Sequence, residues 1–219
     1  MSLYDQRRRY MVESQLRTNK VTNTSVLIAF EETAKENFVD EDFASFAYID
    51  EDLMLGDGRF LLEPMVFARL VQALELKPSD SVLDIGATSG YSTAILAKLA
   101  QSVVGIECNE TLAAKGQENL TAHHVDNAII LSGALADGFN AEAPYNAIII
   151  EGSVETVPTN ILQQLSDDGR LVTIQRATPA SPGRAVLYVR AGDGFAHSIL
   201  FDAQTPMLDE FAAIKTFAF

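Results

Sequence analysis

Val82-Leu83-Asp84-Ile85-Gly86-Ala87-Thr88-Ser89-Gly90-Tyr91 is the stretch that decides the fold. A short apolar run carries an acid, passes through a glycine-spaced turn and enters a helix-forming stretch from Ser92 to Ala100. A second apolar run, Ser102 to Ile106, ends in another acid, Glu107. In an open parallel sheet this layout makes a nucleotide-type pocket at the carboxyl ends of the strands. The turn brings backbone close to a ligand, and Glu107 is placed to accept hydrogen bonds from a ribose.

Working outward, apolar strand candidates lie at 81–85, 102–107, 127–132, 145–150 and 170–175. Helix candidates fall between most of them, at 90–100, 110–122 and 157–166. Runs such as Ile148-Ile149-Ile150 are continuous rather than alternating, which marks strands buried on both faces of a parallel sheet. Such strands joined by crossover helices form a doubly wound α/β sheet. Towards the end, Ala185–Arg190 and Phe195–Asp202 flank Ala191-Gly192-Asp193-Gly194, a hairpin turn, so the sheet is expected to finish antiparallel. Ala213–Phe219 can pair nearby. Upstream, Leu3–Arg17 lacks Pro and Gly and reads as helix. Thr22, Asn23 or Thr24 can cap a second helix. Asp40–Arg59 reads as an extended loop, and Glu63-Pro64 opens a third helix. The chain thus divides into a helical lobe with an extended loop, 1–76, and a core with a nucleotide-type pocket, 77–219.

Composition narrows the partners. A net charge of −14 repels a phosphate backbone, and Arg7-Arg8-Arg9 is too short to offset it, so no nucleic-acid partner is expected. The lone cysteine, Cys108, excludes an internal disulfide framework. His123, His124 and His197 lack metal-ligand spacing, and no metal is expected. No apolar stretch approaches the roughly 20 residues that span a bilayer, and the N-terminus has no signal-type apolar core. A cytoplasmic protein without a membrane partner is the simplest reading. Oligomeric state stays open.

The chain resembles the protein-L-isoaspartate O-methyltransferases, which use S-adenosyl-L-methionine on the class I methyltransferase fold. The resemblance runs through Met11-Val12, Gln15-Leu16-Arg17, Ala47-Tyr48-Ile49-Asp50, Gly56-Asp57-Gly58 and Pro64-Met65-Val66-Phe67-Ala68, then through the Gly86 turn to Gly169-Arg170-Leu171-Val172. The pattern from Met11 to Gly58 is the specific part, since many cofactor enzymes share a glycine-rich turn. The resemblance implies a mostly parallel, Rossmann-like sheet of seven strands with an N-terminal helical lobe and an antiparallel C-terminal hairpin. It also implies methylation of an isoaspartyl carboxylate in a peptide or protein, a repair reaction. By position it assigns cofactor contacts to Asp84, Gly86, Ala87, Thr88, Ser89, Gly90, Glu107, Cys108, Ala134 and Leu135. Acceptor-side roles fall to Asp50, Arg59 and Leu62.

Departures from the family pattern cluster on those functional motifs. The family loop reads roughly Gly-x-Gly-Gln-Thr-Ile-Ser-Gln-Pro, and here it is Gly56-Asp57-Gly58-Arg59-Phe60-Leu61-Leu62-Glu63-Pro64. Leu62 holds the catalytic serine position and Phe60 the threonine position. Thr88 replaces the middle glycine of the turn, and Ala134 replaces the acid that contacts adenine, with Asp137 near enough in sequence to substitute. A carboxylate acceptor is already ionised at pH 7, so no general base is needed and a serine hydroxyl would orient it. Losing one hydrogen bond to a charged group costs about 1.5–3 kcal/mol, about a tenfold to hundredfold loss in rate. Arg59 can replace that hydroxyl by pairing with the acceptor, or can form an inert surface pair with Glu63. Phe60 and Leu62 can fill a dead pocket or line one for an apolar or otherwise unknown small acceptor. Two classes follow: a methyltransferase, weakened or with a changed acceptor, and a non-catalytic descendant that binds cofactor or protein.

Overall fold

The computed structural model describes residues 2–211. The chain opens with α1 (Leu3–Tyr10), which continues through wider π turns at Met11–Leu16 and a final tight turn at Arg17–Asn19. The expected helix over 3–17 is therefore present with a change of pitch. α2 (Thr24–Glu32) is capped by Asn23, whose side chain accepts from the Ser25 and Val26 amides. α3 (Glu41–Ala44) follows. The segment expected as an extended loop, 40–59, then folds back on itself. β1 (Leu53–Gly56) and β2 (Arg59–Leu61) pair antiparallel about a Gly56-Asp57-Gly58 tip. All three tip residues have positive φ, which a tight reversal demands.

α4 (Pro64–Leu74) starts on its proline and buries Val66, Phe67, Leu70, Val71 and Leu74 along one stripe, as the spacing predicts. The sheet then builds through β3 (Ser81–Ile85), α5 (Tyr91–Ala97), β4 (Ser102–Glu107), α6 (Glu110–Ala122) and β5 (Ala128–Ser132). It continues with β6 (Tyr145–Val154), the single-turn α7 (Thr159–Leu162), β7 (Leu165–Gln175), β8 (Arg184–Ala191) and β9 (Gly194–Asp202). Strand order is β5-β4-β3-β6-β7-β8-β9, with the first five parallel and β8 and β9 antiparallel. This is the seven-stranded, doubly wound sheet with a terminal hairpin that the sequence implies. The helix expected over 157–166 is reduced to one turn, since β7 begins at Leu165 and takes up its last two residues. The expected pairing of 213–219 lies outside the described residues.

Ile148, Ile149 and Ile150 are fully buried, as their unbroken apolar run predicts. Every residue of α5 is buried too, because the N-terminal lobe covers the side that the sheet does not. Phe30, Phe67 and Tyr91, from α2, α4 and α5, pack their rings with centroids 5.3–6.4 Å apart and tie lobe to core. Strand order reverses beside β3, between its neighbours β4 and β6. Crevices at such switch points, off the carboxyl ends, are where open α/β sheets place ligands. No helix among the described residues is long and apolar enough to cross a membrane.

Candidate functional site

Three acids come together at that switch point. Asp84 is buried in β3 and accepts from the Ser92 and Thr93 hydroxyls at 2.8 and 2.6 Å, which pins the first turn of α5. Glu107 ends β4 and is fully buried. Glu151 is 3% exposed and lies where the β6–β7 register slips between Ile149 and Ser153. Such a bulge re-aims a side chain at the rim of a sheet. Glu151 is the residue that the sequence reading missed, although its signal was the same one: the run Ile148-Ile149-Ile150 also ends in an acid.

The turn between β3 and α5 is strained and tight. Gly86 has φ +94, and a Cβ placed there would lie 3.1 Å from Arg59 Nη2 and 3.6 Å from Glu151 Cβ. Thr88 takes φ +46, a left-handed conformation that disfavours a β-branched residue. Its side chain is fully buried and its hydroxyl has no partner among the described residues. Thr88 therefore keeps the backbone shape that a glycine would give and adds a buried hydroxyl.

Glu107 is the hub. Its Oε2 accepts from the Thr88 amide at 3.0 Å and from Arg59 Nη2 at 2.8 Å. Its Oε1 accepts from the Asn109 amide at 3.0 Å. Arg59 is 3% exposed, so this is a buried ion pair. The expected surface pair with Glu63 is corrected here, and Arg59 is held by Glu107 in this structure rather than standing free for an acceptor. Its strand places the guanidinium over the glycine turn, and the buried carboxylate of Glu107 captures it. A buried guanidinium left without an anion would be strongly destabilising, which accounts for the capture.

Phe60, Leu61 and Leu62 are buried beside Arg59 as core side chains. Asp50 is exposed at a bend and does not join this group. Asp52, two residues on, does: it is half-buried and accepts from the Glu63 amide at 2.9 Å. Burial pushes Asp52 up to about 6 and Glu63 up to about 7. Lys35 is fully buried across from them, 5.5 Å from the Tyr91 ring centroid. Burial pulls it down to about 8 against the opposing pull of Asp52 and Glu151. Burial, with the nearby Asp84 charge, holds the Glu151 carboxyl well above the ordinary carboxylate range, and burial raises Asp84 to about 6.

Cys108 is half-buried and its thiol donates to Glu210 Oε1 at 2.9 Å; burial and that contact push it up to about 12. Ala87, Ser89 and Gly90 are buried within the turn, Leu135 is buried, and Ala134 and Asp137 are exposed beyond β5.

Eight buried side-chain polar atoms lack a partner among the described residues. All but those of Gln15 and Arg176 belong to the end of β3, to the turn, to the first residue of α5, or to the two side chains laid over the turn: Asp84 Oδ1, Thr88 Oγ1, Ser89 Oγ, Tyr91 OH, Arg59 Nε and Glu151 Oε1. Unpaired buried polar atoms are costly, and their concentration at one place fits a polar ligand. A cavity of about 230 Å³ lined by Phe38, Ala94, Lys98 and His123 shares no residue with the turn.

A family model described as protein-L-isoaspartate(D-aspartate) O-methyltransferase matches residues 6–196. A protein-L-isoaspartate O-methyltransferase 2 from Shewanella sediminis is 36% identical over 192 residues, covering 88% of this chain and 78% of its own. A protein-L-isoaspartate O-methyltransferase from Pseudomonas paraeruginosa is 35% identical over 199 residues, covering 89% and 92%. One solved protein-L-isoaspartate O-methyltransferase superposes with a TM-score of 0.82 at 20% identity; the match covers 92% of this chain and 65% of that one. A Plasmodium falciparum structure in complex with S-adenosyl-L-homocysteine gives 0.74 at 21%, over 90% and 96%. At those identities the two structures bear on the fold alone.

Proposed function

The chain belongs to the protein-L-isoaspartate O-methyltransferase family, and on that premise we propose that it moves a methyl group from S-adenosyl-L-methionine to the free carboxylate of an isoaspartyl site in a peptide or protein, at a reduced rate. The observation that carries this reading is the cluster of unpaired buried polar atoms around the Gly86–Gly90 turn beside Glu107. Those donors and acceptors suit an adenosyl amino acid. Glu107 would accept from the ribose, and the turn backbone from Gly86 to Gly90 would face the amino-acid end with Asp84 behind it. Cys108, Ala134 and Leu135 would border the base. Bound there, the cofactor supplies an electrophilic methyl group on a sulfonium.

The rest of the work belongs to the chain. The acceptor needs no deprotonation, so catalysis is positioning and exclusion of water. Phe60 and Leu62 supply the exclusion. Leu62 also withholds the hydroxyl that would orient the acceptor, and an apolar wall beside an anion raises its desolvation penalty. Slow transfer follows, roughly tenfold to hundredfold below a serine-bearing relative. The burial of Leu62 supports a second reading, cofactor binding without transfer.

Labelled S-adenosyl-L-methionine with an isoaspartyl peptide, run beside a titration with S-adenosyl-L-homocysteine, tests both. Slow but saturable methyl transfer is expected, with micromolar product binding. Binding without transfer leaves the second reading, and no binding at millimolar ligand removes both.

A further inference from the structure

Arg59 blocks the residue that the cofactor needs. Both Glu107 oxygens are engaged: Oε2 by the Thr88 amide and Arg59, Oε1 by the Asn109 amide. Two of these donors are backbone amides fixed by the turn and by the strand end. The third is a long side chain that can leave. A ribose diol that sets a hydroxyl on Oε2, which already accepts two donors, must therefore replace the guanidinium.

The guanidinium is well placed to go elsewhere. Arg59 lies three residues before Leu62, in a hairpin whose strands are only four and three residues long. No heavy atom lies within 4 Å of a Cβ built on Gly56 or Gly58, so the tip has room to shift. Its tie to the core, Asn109 Nδ2 to Asp57 Oδ2, is long at 3.4 Å. The tip, 56–58, is exposed although β2 is buried, and short segments with an exposed tip open more readily than the core. A displaced guanidinium needs a new anion, and Glu151, which faces the same glycine, is a poor one because burial and the Asp84 charge disfavour its ionised form.

We propose that Arg59 is a two-position side chain that couples the two binding events. A ribose diol and the guanidinium compete for Glu107, and the displaced guanidinium then pairs with the acceptor carboxylate. The inference rests on the cofactor reading above, and it assigns the lost hydroxyl's positioning role to Arg59. Binding is then ordered, cofactor first and acceptor second. By linkage, each ligand strengthens the other by the same factor.

Calorimetry on the full chain tests this with S-adenosyl-L-homocysteine, which cannot react, and an isoaspartyl peptide. In the wild type, saturating S-adenosyl-L-homocysteine is expected to tighten peptide binding about tenfold. In R59Q the coupling falls to within about twofold, and S-adenosyl-L-homocysteine alone binds about tenfold more tightly because Glu107 is free. R59K keeps the charge without the two-donor fork and guards against misfolding of R59Q; its coupling is expected to drop about threefold or more. Wild-type coupling under about twofold, unchanged coupling in R59K, or an R59Q chain that binds S-adenosyl-L-homocysteine no better overturns the inference and leaves the cofactor reading standing. No heat from either chain at millimolar ligand overturns both.

Discussion

At the residue scale, the proposed function makes Leu62 the side chain on which rate turns. It is buried beside Phe60 in the position that matches a serine in the family pattern. Leu62→Ser is expected to raise transfer to an isoaspartyl peptide about tenfold or more, while lowering stability by about 2–4 kcal/mol through the cavity and the buried hydroxyl. Radiolabel incorporation and a urea midpoint measure the two effects. Unchanged transfer in a folded L62S chain would show that the hydroxyl is not the missing part. The places of Asp84, Thr88 and Glu107 at the switch point are legible in the sequence because the glycine-spaced turn fixes where they stand. The destination of Arg59 is not. Its partner is 48 residues away, and no spacing rule links a hairpin to the end of a distant strand.

At the element scale, the parallel strands announced themselves by unbroken apolar runs, and α4 by its stripe and its proline. The β1–β2 hairpin hid because two strands of four and three residues carry too little periodicity to register, although Gly56-Asp57-Gly58 is a turn signal in plain view. Residues 203–211, after β9, carry no period that marks an element, yet they are anchored along β6. Ser153 donates its amide to Pro206 O, accepts from the Leu208 amide, and bonds Thr205 through its hydroxyl. A Cβ on Gly152 would lie 2.6 Å from Leu208 Cγ, so only glycine lets this strap close. Gly152→Ala is expected to destabilise by about 1–3 kcal/mol and to lift Glu210 away from Cys108. Alkylation of that thiol should then run faster than in the wild type. Equal alkylation rates would show that the strap does not shield it.

At the scale of the whole molecule, the buried acids set how stability depends on pH. Asp84 and Asp52 are raised from 3.8 to about 6 and Glu63 from 4.5 to about 7, and Glu151 is held well above its ordinary value, all chiefly by burial. The folded state therefore binds more protons than the unfolded chain across this window. The contribution of Asp84, Asp52 and Glu63 is whole below the unfolded values and is lost as pH rises through about 6–7. Self-repulsion of a chain with net charge −14 acts in the same direction. Lys35, lowered from 10.5 to about 8, does the reverse: above 8 the unfolded chain holds the extra proton, and stability recovers. Melting temperatures should thus fall from about pH 5 to about pH 7.5 and rise slightly towards pH 9. Glu151→Gln should flatten the acid limb, and an unaltered slope would remove Glu151 from this role.

The strand order also bears on how the chain is made. β3 pairs with β6 as well as β4, and Val82 lies opposite Ala147 in that ladder. At about 5–20 residues per second, a ribosome needs several seconds to pass from one to the other. Until then the central strand has one flank bare, and nascent chains stalled before β6 should engage holdase chaperones more than those stalled after it.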